Sequence, residues 1–224
     1  MSTLAVETWL YGSRARGDCD ALSDTDILLV GAPNDASPLF DYPEVSVSRY
    51  SWSEIEEMWS YGCLLLVHLA LEGRRLHCDP ADPDRFPRLL QSLPPFTRAR
   101  LDHDAFRMAI AESLASLQHG GWPDFECGVI ATVARHAAVL GAYCIGSPAF
   151  GRSQPFRVVG RRLGYVEADI EWITAIATAW EKGLDGSHQQ SDVRDAWLRR
   201  IRDFVDDVRP LIDDYDRSVL PSPA

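Results

Sequence analysis

The chain has 224 residues, 46% hydrophobic and 25% charged, enough for one large globular domain or two small ones. Its formal net charge of −11 disfavours generic binding to nucleic-acid backbones, where Lys and Arg must neutralise phosphates. Lys182 is the single lysine, and the five cysteines (Cys19, Cys63, Cys78, Cys127, Cys144) show neither even pairing nor metal-ligand spacing.

Taken in chain order, Val6 to Tyr11 predicts a first strand close to the N-terminus. Further strands are expected over Thr25 to Val30 and over Val45 to Tyr50, where Val45, Val47 and Arg49 alternate with Ser46, Ser48 and Tyr50. Residues 31–43, rich in Pro, Asn and Asp, read as a loop. Ser53-x-x-Glu56 matches a capping box and predicts a helix to about Tyr61. After Gly62 an apolar helix runs to Leu71 and stops at Gly73, and Arg74 to Cys78 reads as a short edge strand before breakers at 79–83. Beyond residue 84 helical periodicity covers 84–92, 98–118, 125–145, 155–163, 167–182 and 190–214. In the last of these, Val193, Trp197, Ile201, Phe204, Val208 and Leu211 line one face. The fold class expected is therefore α+β. A small mixed sheet core occupies 1–83, an α-helical bundle of five or six helices 84–218, and a short tail 219–224. Cys63 and Cys144 read as small core residues. No leader-like N-terminus and no apolar run near the ~20 residues of a membrane span are evident, so a reducing cytoplasmic setting is expected.

Residues 11–30 carry the chemistry. Gly12-Ser13 follows the first strand, Arg14 to Ser23 form a spacer, and Asp24-Thr25-Asp26 opens the second. Strand alternation would put Asp24 and Asp26 on one face. Two adjacent carboxylates repel unless a cation lies between them. Mg²⁺ suits such a pair, because it takes one or two carboxylates together with substrate phosphates. The Gly12-Ser13 turn would offer N–H groups and a hydroxyl to those phosphates.

At these residues the chain resembles the DNA polymerase β-like nucleotidyltransferase superfamily, especially its small prokaryotic members. The resemblance rests on Gly-Ser-x-Ala-Arg-Gly at Gly12 to Gly17 and Ser-Asp-x-Asp at Ser23 to Asp26. It implies a nucleotidyltransferase core and Mg²⁺-dependent transfer of a nucleoside monophosphate from a nucleoside triphosphate to a hydroxyl. Asp24 and Asp26 would be catalytic metal ligands. Gly12 and Ser13 would hold the terminal phosphates, and Arg16 would orient the turn or the triphosphate. The acidic chain points to a small-molecule or protein acceptor rather than long nucleic acid. A homodimer or a toxin–antitoxin partner stays open. The family's third carboxylate belongs on a neighbouring strand, where this chain has Ser46 and Ser48; Glu44 and Asp41 are the nearest acids. This departure supports one alternative, a nucleotide-binding or antitoxin protein with little or no catalysis; a further alternative, which needs the same core, is a synthase of a nucleotide second messenger.

Elsewhere, His68 and Glu72 are one helical turn apart, the spacing of a His–carboxylate pair. His103, between Asp102 and Asp104, reads as an exposed residue at a helix start, and the adjacent Arg135-His136 lacks the spacing of a ribonuclease motif.

Overall fold

A computed structural model describes residues 7–20, 23–31, 45–78 and 80–219. Val6, most of the expected loop at 31–43, Asp41, Glu44 and the tail at 220–224 lie outside the described residues. Four strands, β1 (Glu7–Tyr11), β2 (Thr25–Val30), β3 (Val45–Tyr50) and β4 (Arg74–His77), form one mixed sheet in the order β3-β2-β1-β4. β1 pairs antiparallel with both β2 and β4, and β2 runs parallel to β3.

The sheet is apolar on both faces. Leu28 and Val30 of β2 share a core with Trp9 of β1 and with Ile55, Leu66 and Leu69 from two helices. Those helices are α2 (Trp52–Ser60) and α3 (Leu64–Glu72), whose side chains are removed from water here at roughly 1.5–3 kcal/mol each. Ile27 and Leu29 alternate to the opposite face and pack with Leu10, Val45 and Val47. Between β1 and β2 a single-turn helix, α1 (Gly12–Arg16), stands where the sequence predicts a turn.

The α2 cap sits two residues before the expected one. Ser51 Oγ accepts the Glu54 N–H at 3.2 Å, and the Glu54 carboxylate accepts the Ser51 N–H at 2.7 Å. The Ser-x-x-Glu pattern occurs twice here, and Ser51 is the first residue beyond the β3 ladder, so it captures the free N–H groups.

The chain divides into two compact units, Met1–Thr97 and Arg98–Ala224. The division falls later than the expected residue 83 because α4 (Arg85–Gln91) sends Phe86 and Leu90 into the sheet core. Phe86 meets Trp9 edge-on with ring centroids 5.4 Å apart. The following segment is also tied back. The Thr97 N–H donates to the Tyr61 carbonyl at 3.0 Å, and a Cβ on Gly62 would lie 2.4 Å from the Pro94 oxygen.

The second unit is helical among the described residues, as expected: α5 (Ala99–Gln118), α6 (Pro123–Cys144), α7 (Gln154–Leu163), α8 (Glu167–Glu181), α9 (Ser191–Asp207) and α10 (Arg209–Val219). α6 is the hub, packed against the other five. Buried Ala131, Ala134, Ala137, Ala138 and Ala142 let those neighbours approach its backbone closely. By length and composition α6 could cross a membrane, contrary to the sequence expectation, but 56% of its most apolar window is buried within the protein. The continuous helix expected over 190–214 is two helices. Pro210 has no N–H to continue the ladder and its ring clashes with the carbonyl four residues back, so the break falls at Val208.

His103 is not an exposed helix-start residue. It is fully buried on α5, and its Nε2 lies 2.8 Å from the Val205 carbonyl of α9, which fixes Nε2 as the protonated nitrogen. Burial pushes its pKa below the ordinary value, and Arg209 and Arg107 push it further, against the opposing effect of the Val205 bond. Among the cysteines, Cys127 is the fully buried one, whereas Cys63 and Cys144 are half-buried. Burial raises the Cys127 thiol to about 12.

Candidate nucleotide site

The register of β1 against β2 sets Tyr11 opposite Asp26, so the chain leaves β1 beside the acid. It turns there through Gly12, whose φ of +73° favours glycine. A Cβ at Gly12 would lie 2.2 Å from Asp26 Oδ2. The bare glycine is what lets the carboxylate rest against the turn.

The rest of the motif holds α1 in place. Ala15 is buried, and Gly17 ends the helix in the left-handed region with its N–H bonded to the Ser13 carbonyl at 2.9 Å. Among the described residues the Ser13 hydroxyl makes no hydrogen bond. Arg14 donates to the Ser23 carbonyl at 3.1 Å, and Ser23 exchanges hydrogen bonds with Asp20 at 2.9 and 2.7 Å. Asp24 is exposed and lies one residue before β2, while Asp26 is half-buried within the strand.

Arg16 is engaged by protein carboxylates. It donates to Glu72 at 2.8 Å and to Asp18 at 3.1 Å. Glu72 also lies 2.9 Å from His68 Nε2, so one carboxylate ties α1 to the end of α3. Tyr11 links this group to the sheet, with its ring edge-on to His68 at 5.6 Å and its hydroxyl 3.2 Å from Ser48 Oγ. Burial raises the Tyr11 pKa, opposed by the Ser48 bond and reinforced by the negative charge of Asp26. The His68–Glu72 half of this network follows from helical spacing. Its link to Arg16 spans 56 residues and has no local signal.

On β3, Ser46 pairs with Asp26 and Ser48 with Leu28, so the strand beside Asp26 presents hydroxyls at these positions. Among the described residues no group of three or more His, Cys, Asp or Glu is arranged to hold a metal. Asp24 and Asp26 offer carboxylate oxygens, the donor type that Mg²⁺ takes alongside phosphate oxygens and water.

The chain matches no protein-family model and no curated protein.

Proposed function

We propose that this chain is a Mg²⁺-dependent nucleotidyltransferase that moves a nucleoside monophosphate from a nucleoside triphosphate to a hydroxyl on a small molecule or protein. The observation that carries this reading is the fit of the Asp26 carboxylate against the Cβ-less Gly12 at the mouth of the Gly12-Ser13 turn. A phosphate turn and a carboxylate in one place are what nucleotidyl transfer needs, since its catalysis is mostly positioning and charge neutralisation. Asp24 and Asp26 would hold Mg²⁺, which when bound neutralises phosphate charge and acidifies a hydroxyl. Gly12 and Ser13 orient the phosphate tail through backbone N–H groups and the Ser13 hydroxyl, and Arg16, held by Glu72 and Asp18, keeps the turn in position. The chain's acidity favours a cationic or neutral acceptor over a long nucleic acid.

Ser46, register partner of Asp26, favours a second reading in which the site binds nucleotide without turnover. Calorimetric titration with ATP and Mg²⁺, paired with a pyrophosphate-release assay over candidate hydroxyl acceptors, separates the two. The first reading expects both binding and release, and binding without release supports the second. Asp24→Ala combined with Asp26→Ala is expected to abolish Mg²⁺-dependent binding while the circular dichroism spectrum stays unchanged. Undiminished binding by that variant would remove the site assignment altogether.

A further inference from the structure

The helical unit carries a feature that nucleotidyl transfer does not use. Two adjoining cavities of about 300 and 360 Å³ run between α5 and α9 and share Leu114 and Gln118. From Arg107 to Gln118 the groove follows α5 for about 16 Å, three helical turns. Its floor is aliphatic: Ile110 and Leu114 from α5, Leu198 and Val205 from α9.

Four arginines, Arg107, Arg194, Arg199 and Arg202, line the groove, against two acids, Asp195 and Asp206. Both acids are already paired, Asp206 with Arg107 at 2.6 Å and Asp195 with Arg194 at 3.1 Å. Among the described residues Arg199 makes no ion pair, and Arg202 reaches only Asp203 at 3.6 Å. A locally cationic rim around an apolar floor, on a chain of net charge −11, runs against the average of the molecule.

We propose that this groove docks an amphipathic helix with acidic flanks, supplied by a different protein. The groove's length matches three turns, and the floor suits apolar anchors at i, i+3 or i+4, and i+7. The planar guanidinium groups of Arg199 and Arg202 suit flanking carboxylates, which they can meet with paired hydrogen bonds. A second copy of this chain fits worse. A two-fold contact through this face would set two net-cationic rims against each other, and juxtaposed like charges cost several kcal/mol. A nucleic-acid single strand fits worse too, because among the described residues no aromatic side chain lines the groove to stack a base.

The test uses the full chain and fluorescein-labelled synthetic peptides of about 18 residues, held helical by a side-chain staple. One carries leucines on a single stripe with Glu on both flanks, and its twin carries Lys in place of Glu. The Glu peptide is expected to give a saturable anisotropy change, and the Lys peptide to bind at least about tenfold more weakly. Arg199→Glu with Arg202→Glu, both changes at the rim, is expected to reverse that preference while the melting temperature holds. The proposal is overturned if neither peptide binds, if the two bind alike, or if the double variant leaves Glu-peptide affinity unchanged. Displacement of the Glu peptide by a labelled oligothymidylate of about 12 nucleotides overturns it in favour of nucleic acid. A dimer seen by sedimentation that the double variant abolishes overturns it in favour of a second copy.

Discussion

Gly12 and Asp26 share one small volume, and that makes the glycine a sensitive probe of the candidate site. Gly12→Ala must place a methyl group where Asp26 Oδ2 lies and must hold an L-residue at φ +73°, a backbone cost of about 1–2 kcal/mol. The carboxylate can swing aside, so the chain is expected to fold with a slightly lower melting temperature. ATP–Mg²⁺ affinity measured by calorimetry should fall at least about tenfold. Glu72 is the complementary probe, since one carboxylate oxygen serves both Arg16 and His68. Glu72→Gln removes the charge from two partly buried contacts and is expected to cost about 1–3 kcal/mol in urea unfolding. Loss of nucleotide affinity should accompany it, because Arg16 keeps only Asp18 as its anchor. Gly12, Asp24 and Asp26 could be singled out in the sequence because their motif falls within one short stretch, residues 12–26. Arg16 was legible as part of that motif but not as the partner of Glu72, since contacts between distant segments leave no periodicity.

Among the elements, the strands carrying the site read cleanly. β2 and β3 begin and end at the expected residues because alternation and turn-forming neighbours agree on their limits. The longer helices read well in position and less well at their ends, while the short α1 was expected as a turn and the last helix as one continuous element. Two overlapping Ser-x-x-Glu patterns compete at α2, and Pro210 lies inside an apolar stripe that continues unbroken through Val208 and Leu211. The side that α4 packs on was illegible, because an amphipathic stripe records that a face is buried and not what buries it. Phe86→Ala tests the assignment directly. It is expected to destabilise the sheet unit by about 3–5 kcal/mol, followed through the fluorescence of Trp9 and Trp52, whose rings meet Phe86. The α5–α9 contact through His103 predicts a pH dependence. The folded state holds this imidazole neutral below its ordinary value near 6.5, whereas the unfolded chain takes up the proton there. Its contribution to stability is thus full at neutral pH and is lost as pH falls below about 6.5. Urea midpoints at pH 7 and pH 5 are expected to differ, and His103→Leu should shrink the difference while lowering stability at pH 7.

Over the whole molecule, periodicity along the chain anticipated a mixed sheet followed by helices, and the structure has that organisation in two compact units. Net charge gave the sign of the molecule but hid its local reversal between α5 and α9, because a sum over 224 residues erases where charges lie. One consequence follows from β2 itself. Asp26, Leu28 and Val30 alternate onto the same side of that strand, so the acid and the hydrophobic anchor are neighbours on a single stiff ribbon. Random mutagenesis that selects for heat resistance alone will therefore find its safest gains elsewhere. A lineage that adapts to a new temperature while retaining its ligand is constrained most tightly along these few residues.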